Sequence, residues 1–136
     1  MKRQLIRNLS VALIAASSMF AQSPQKLTAQ IPFAFHVGGA MLAPGAYSVY
    51  TDANPMVLRV MSADARVSVR TLAQAAEKRT MPTEGKLIFT RYGDEYFLSE
   101  VWRPNDSSGS VLRKTKREME VAASTRQDIE TIIAAK

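Results

Sequence analysis

The chain has 136 residues, with 18 Lys and Arg against 12 Asp and Glu for a formal net charge of +6, and no cysteine. Without cysteine there is no disulfide, no thiolate metal site and no cysteine nucleophile, so stability must come from the core. Lys2, Arg3 and Arg7 precede Ala21, so the rest of the chain carries 15 bases against 12 acids, a net +3 that is ordinary for a soluble domain and does not support a polyanion partner.

The chain opens on MKRQLIRN, basic and free of acids, followed by the apolar run LSVALIAASSMFA, which ends among small residues. This is the three-part layout of a secretory signal peptide, residues 1–21, with cleavage expected after Ala21. The run is too short to cross a bilayer, which takes roughly 20 apolar residues. The expected destination is periplasmic or extracellular, and no later segment is apolar enough to span a membrane as a helix. About 115 residues remain, enough for one domain with its own core.

Residues 22–109 are expected to form the β-rich domain: after a short polar entry at 22–26, the dominant period as far as Arg103 is two, the signature of strands. In LTAQIPFAF, Leu27, Ala29, Ile31, Phe33 and Phe35 share one face, and Pro32, with no ladder donor, places the strand at an edge. VGGAMLAPGA reads as a turn, AYSVYT as a second strand and DANP as another turn. MVLRVM and ARVSVRTL follow as a hairpin, with Val67, Val69 and Thr71 opposite Arg66, Ser68 and Arg70; residues 74–84 read as the longest loop. KLIFTRYGDEYFLSEVW then folds back on itself at Gly93-Asp94, a two-residue turn with glycine where type II′ requires it. Its pairing sets Arg91 opposite Tyr96, Phe89 opposite Leu98 and Leu87 opposite Glu100. Trp102 then joins Tyr96 on one face, and Ile88, Tyr92, Phe97 and Val101 form the other.

After PNDSSG the pattern changes. Thr115 and Glu118 have capping-box spacing, and Met119, Ala122, Ala123, Ile129, Ile132 and Ile133 recur at three- and four-residue intervals. Residues 110–136 are therefore expected to form a C-terminal helical segment, one helix or two, packed on the sheet. The expected fold is mainly β: a single small antiparallel β-barrel or β-sandwich of about six strands, closed by that segment.

No constellation of catalytic, cofactor-binding or metal-binding residues emerges. His36, the lone histidine, has no sequence neighbour to orient it as a base or complete a metal site. Glu100 shares a face with Arg91 and reads as its cross-strand ion pair. The basic run RKTKR (113–117) lacks interleaved aromatics and runs into Glu118 and Glu120, so it reads as a solvated helix start, with no nucleic-acid partner expected. Arg91, Tyr96 and Trp102 remain as candidate ligand contacts at the mouth of a small barrel, against a plainer reading of the same aromatics as core.

The pieces IPFAFHVGG, LAPGAYSV and KLIFTRYGDEYFLSEVW together resemble a group of small exported bacterial proteins with an IPFxF strand, an LPAGxY-type turn and an RYG hairpin ending in Trp. Ala43-Pro44 reverses the order usual in that turn. The resemblance implies export and a compact β-rich domain, and transfers no activity. The functional expectation is a non-enzymatic binding or interaction module of the bacterial envelope, its partner an envelope protein or a small apolar ligand. A structural, self-assembling envelope protein is the alternative, and a small hydrolase-type enzyme the third reading.

Overall fold

The computed structural model describes residues 25–51, 56–125 and 128–136. The expected signal peptide and the DANP turn lie outside the described residues. The chain is mainly β: β1 (Gln25–Ile31), β2 (Phe35–Val37), β3 (Ala40–Leu42), β4 (Gly45–Thr51), β5 (Val57–Ser62), β6 (Ser68–Glu77), β7 (Gly85–Tyr92), β8 (Glu95–Trp102), β9 (Ser108–Leu112), α1 (Lys116–Ser124) and β10 (Asp128–Ala135). No described helix is long and apolar enough to cross a membrane.

Among the described residues there are ten strands rather than six, and they form an open ladder rather than a closed six-stranded barrel. Its order is β1-β4-β5-β6-β9-β8-β2-β3, with β7 on the other side of β8 and β10 on β7. The edges β1 and β10 meet through one reciprocal backbone pair. Thr28 N donates to Lys136 O at 2.6 Å, and Lys136 N donates to Thr28 O at 2.9 Å. The core draws on both halves of this curled sheet, with Ile31, Phe35, Leu58, Leu87 and Phe89 fully buried.

The extra strands have local causes. Pro32 ends β1 instead of lying within it, because it has no N–H for the ladder. The chain then doubles back as β2 and β3 through Gly38 (φ +55°) and Gly39 (φ +88°), a type I′ turn that needs φ > 0 at both positions. Phe33, in the break, stacks on Tyr96 with ring centroids 3.8 Å apart. β6 runs on to Glu77, so the expected 74–84 loop shortens, and it changes partner midway: Ser68–Leu72 pair with β5, Ala73–Glu77 with β9.

The helix expected in 110–136 is present over Lys116–Ser124, with strand before it at Ser108–Leu112 and after it at Asp128–Ala135. Thr115 is the N-cap, its Oγ1 accepting from Glu118 N at 3.2 Å. From Asp128 the chain pairs with all of β7, Asp128↔Tyr92 through Ala135↔Gly85. DIETIIAA satisfies a helical period with Ile129, Ile132 and Ile133 and a strand period with Ile129, Thr131 and Ile133. Its β-branched residues suit a pleated surface, and the free edge of β7 offers a full row of backbone partners.

Candidate functional site

The β7–β8 hairpin turns where expected, with Gly93 at φ +61°. Arg91 faces Tyr96 and Phe89 faces Leu98 as expected, but a bulge at Ser99 shifts the register, so Leu87 meets Val101 and Ile88 meets Glu100. One extra residue moves every later side chain to the opposite face. Val101 therefore enters the core, while Trp102 passes to the outer side with Ile88, Tyr92 and Phe97.

The three candidate ligand contacts are thus divided. Arg91 and Tyr96 stay together, the guanidinium 5.5 Å from the Tyr96 ring centroid. Arg91 Nε donates to Gly93 O at 2.6 Å, and its ion-pair partner is Asp94 at 3.8 Å rather than Glu100. Trp102 lies apart, 3 % exposed. Its Nε1 donates to Glu100 Oε2 at 2.6 Å, and Lys78 Nζ sits 4.1 Å from the ring centroid. Phe35 and Phe89, edge-on at 5.4 Å, fill the interior beneath Tyr96. These aromatics build the core and its outer cover, and they do not form a common pocket mouth.

His36 gains by folding the partner its sequence neighbours lack. It pairs with Phe97 in the short β2–β8 contact and stacks on that ring at 4.5 Å, with Nε2 3.6 Å from Glu95 Oε2. Arg117, on α1, closes on Glu95 through Nε at 3.2 Å and through Nη2. The next residue of the helix, the buried Glu118, accepts from the Tyr92 hydroxyl at 3.2 Å. These contacts fasten α1 to the outer face of the hairpin, using two members of the basic–acidic segment that the sequence reading left in solvent. Among the described residues no group of three His, Asp or Glu side chains could hold a metal ion.

This fastening is pH-dependent. Burial raises the Glu118 pKa, with the Tyr92 hydrogen bond and Lys114 pulling the other way. The native state therefore holds that proton more tightly than the unfolded chain does. The stabilisation is complete below the unfolded value of about 4.3 and is lost as pH rises through the raised folded value. Glu95 and Asp106 act oppositely, their pKa values lowered chiefly by hydrogen bonds from Arg117 and Ser108. Their contribution is present above an unfolded pKa of about 4 and is lost on acidification. In urea titrations across this range, Glu118→Gln should abolish the decline above about pH 4.3 while leaving the acid-side loss. A variant that keeps the wild-type decline would contradict the assignment to Glu118.

Comparison with known protein families, curated proteins and solved structures returns no match to this chain.

The candidate site is instead a cleft of about 390 Å³ at the seam where β1 and β10 meet. It is lined by Gln25, Lys26, Leu27, Arg103–Asp106 and Lys136. The 103–106 turn that forms one wall is held by several contacts. Asn105 takes φ +56°, a conformation asparagine tolerates, and its N–H donates to Pro82 O at 2.7 Å. Asp106 Oδ1 accepts from Ser108 N at 2.8 Å and Ser108 Oγ at 2.7 Å, and its Oδ2 lies 3.8 Å from Arg103 Nε. Arg103 also donates to Gln25 across the cleft. With Lys26, Arg103 and Lys136 against Asp106, the walls favour an anionic guest. A second, shallower cleft of about 380 Å³ lies along Ala43–Tyr47, Ser62–Asp64 and Val67. Tyr47 pins its rim, donating to Ala43 O at 2.5 Å. The sequence could not show the seam cleft, because its walls come from both ends of the described chain and from a turn whose form depends on Pro82.

Proposed function

We propose that this protein is an exported, non-enzymatic binding module of the bacterial envelope that takes its ligand on its outer surface. The seam cleft carries this reading: a recess with preset walls that bear Lys26, Arg103 and Lys136 beside Asp106, lying next to a sheet whose interior is filled by side chains. Binding sites commonly combine such a preformed recess with a few fixed polar groups. The basic start and short apolar run of residues 1–21 support export, and the resemblance to small exported bacterial proteins supports the envelope.

The test is cosedimentation of the mature chain, residues 22–136, with isolated bacterial envelope fractions. Saturable retention that salt releases is the expected result, because exposed charge contacts are screened. Failure to sediment at low salt would overturn the reading. N-terminal sequencing of exported material should find a start within a few residues of Gln22, and a start at Met1 would refute signal cleavage.

A further inference from the structure

On the outer face of the sheet, four adjacent strands bring three cations and a tyrosine into a single transverse row. The register sets Lys26 of β1 opposite Tyr50 of β4, Tyr50 opposite Arg59 of β5, and Arg59 opposite Arg70 of β6. Directly opposed residues of antiparallel strands share a face. That face is the outer one, since the sequence neighbours Leu27, Val49, Leu58 and Val60 are buried in the core. With strands about 4.8 Å apart, the row is a line of positive charge crossing three strand intervals.

Nothing in these strands neutralises it. β1, β4 and β5 contain no acidic residue, and β6 has only Glu77 at its far end. The Arg59 guanidinium lies 4.7 Å from the Tyr50 ring centroid, which fixes its orientation. Its Nε is buried with no hydrogen-bond partner. Arg59 and Arg70 are like charges placed directly across from one another, an arrangement that disfavours the fold. An anion bridging them would relieve the repulsion and give the guanidinium groups acceptors suited to their fork.

From this geometry we infer that the row binds a carboxylate-bearing polysaccharide, a polyuronate chain lying across the strands and entering the seam cleft at Lys26, which belongs to both. Thr28 and Ser68, at the two ends of the next row along the same strands, are exposed and supply hydroxyls beside the sugar ring, with the buried Ser48 and the half-buried Met61 between them. The occupant is a chain because the cations follow one path across a sheet that curls around one core, so the row is an arc on a convex surface that a flexible chain can follow. A lipid plane would touch only part of such a row. A single-stranded nucleic acid would need open aromatic faces, and Arg59 already covers Tyr50. The inference rests on the binding-module reading and names the ligand class for it.

The experiment measures affinity of the mature chain for an oligogalacturonate, with neutral dextran and phosphatidylglycerol vesicles as alternatives. Arg59→Gln/Arg70→Gln should weaken oligogalacturonate binding by at least about tenfold, while Arg113→Gln, near α1, leaves it unchanged. Arg70→Gln alone should hold or raise Tm, since it removes a like-charge pair, so lost affinity cannot be put down to unfolding. Row-dependent binding that falls with salt and is absent for dextran supports the inference. Equal binding by the double variant, no oligogalacturonate binding, or row-dependent binding to vesicles alone would each overturn it. Salt-releasable envelope retention that survives the double variant would defeat this inference and leave the binding-module reading standing.

Discussion

Alanine at Gly109 is expected to destabilise the protein by about 2–3 kcal/mol, among the largest losses available from adding one methyl group. Gly109 lies opposite Trp102 in the β8–β9 ladder, and the indole lies across it. A Cβ at Gly109 would come under 3.0 Å from three ring atoms. The ring cannot move away without cost, because Nε1 is bonded to Glu100 and Lys78 lies against its face. Gly109 is needed here for the space its missing side chain leaves. Urea midpoints of Gly109→Ala and of Gly109→Ala/Trp102→Leu measure this. The second variant should recover part of the loss on the glycine side, and a neutral single variant would show that the indole is free to shift.

Truncating Phe89 to alanine should cost about 3–5 kcal/mol, a large share of the roughly 5–15 kcal/mol typical of a domain. Phe89 is fully buried and meets Phe33 edge-on at 5.0 Å and Phe35 at 5.4 Å. Its removal strips an aromatic cluster of its central ring. Phe89→Leu should cost much less, since it retains most of the volume. Equilibrium unfolding of the pair reports whether the interior is packed. A nearly neutral Phe89→Ala would mean that the ring lines an open space, which would return the hairpin aromatics to a ligand-binding role.

Much of the β architecture was legible because alternation and turn chemistry agree. Gly93-Asp94 between two aromatic strands identified the hairpin, and the Arg91↔Tyr96 and Phe89↔Leu98 pairs formed as read. Thr115 capped the helix as its spacing with Glu118 suggested. The misreadings arose where a single residue has a nonlocal effect. Nothing in YFLSEVW marks Ser99 as the residue that drops out of register, yet that bulge moves Trp102 to the opposite face from Tyr96 and ends the proposed grouping with Arg91. Pro32 was read as an edge feature, and β1 does lie at the edge of the ladder, but the proline also splits one expected strand into two. Residues 128–135 fit both periods, and only the free edge of β7 decides between them. Ser108–Leu112 forms β9 although residues 110–112 were expected in the helical segment, because its partners on β8 were invisible from the sequence. The row of Lys26, Tyr50, Arg59 and Arg70 depends on three ladder registers at once, which no local pattern specifies. A net charge of +3 conceals it, because the acids lie elsewhere on the chain.

The central claim is that the interior is filled and that recognition takes place on the outer face. A chemical-shift titration of the isotopically labelled mature chain with oligogalacturonate tests it most directly. The account predicts movement of the Arg59 and Arg70 Nε–Hε signals and of the amides of Lys26 and Tyr50, with the methyl signals of Leu58, Leu87 and Val101 unmoved. Shifts centred on Phe35, Phe89 and those core methyls, with the arginine signals unchanged, would contradict it.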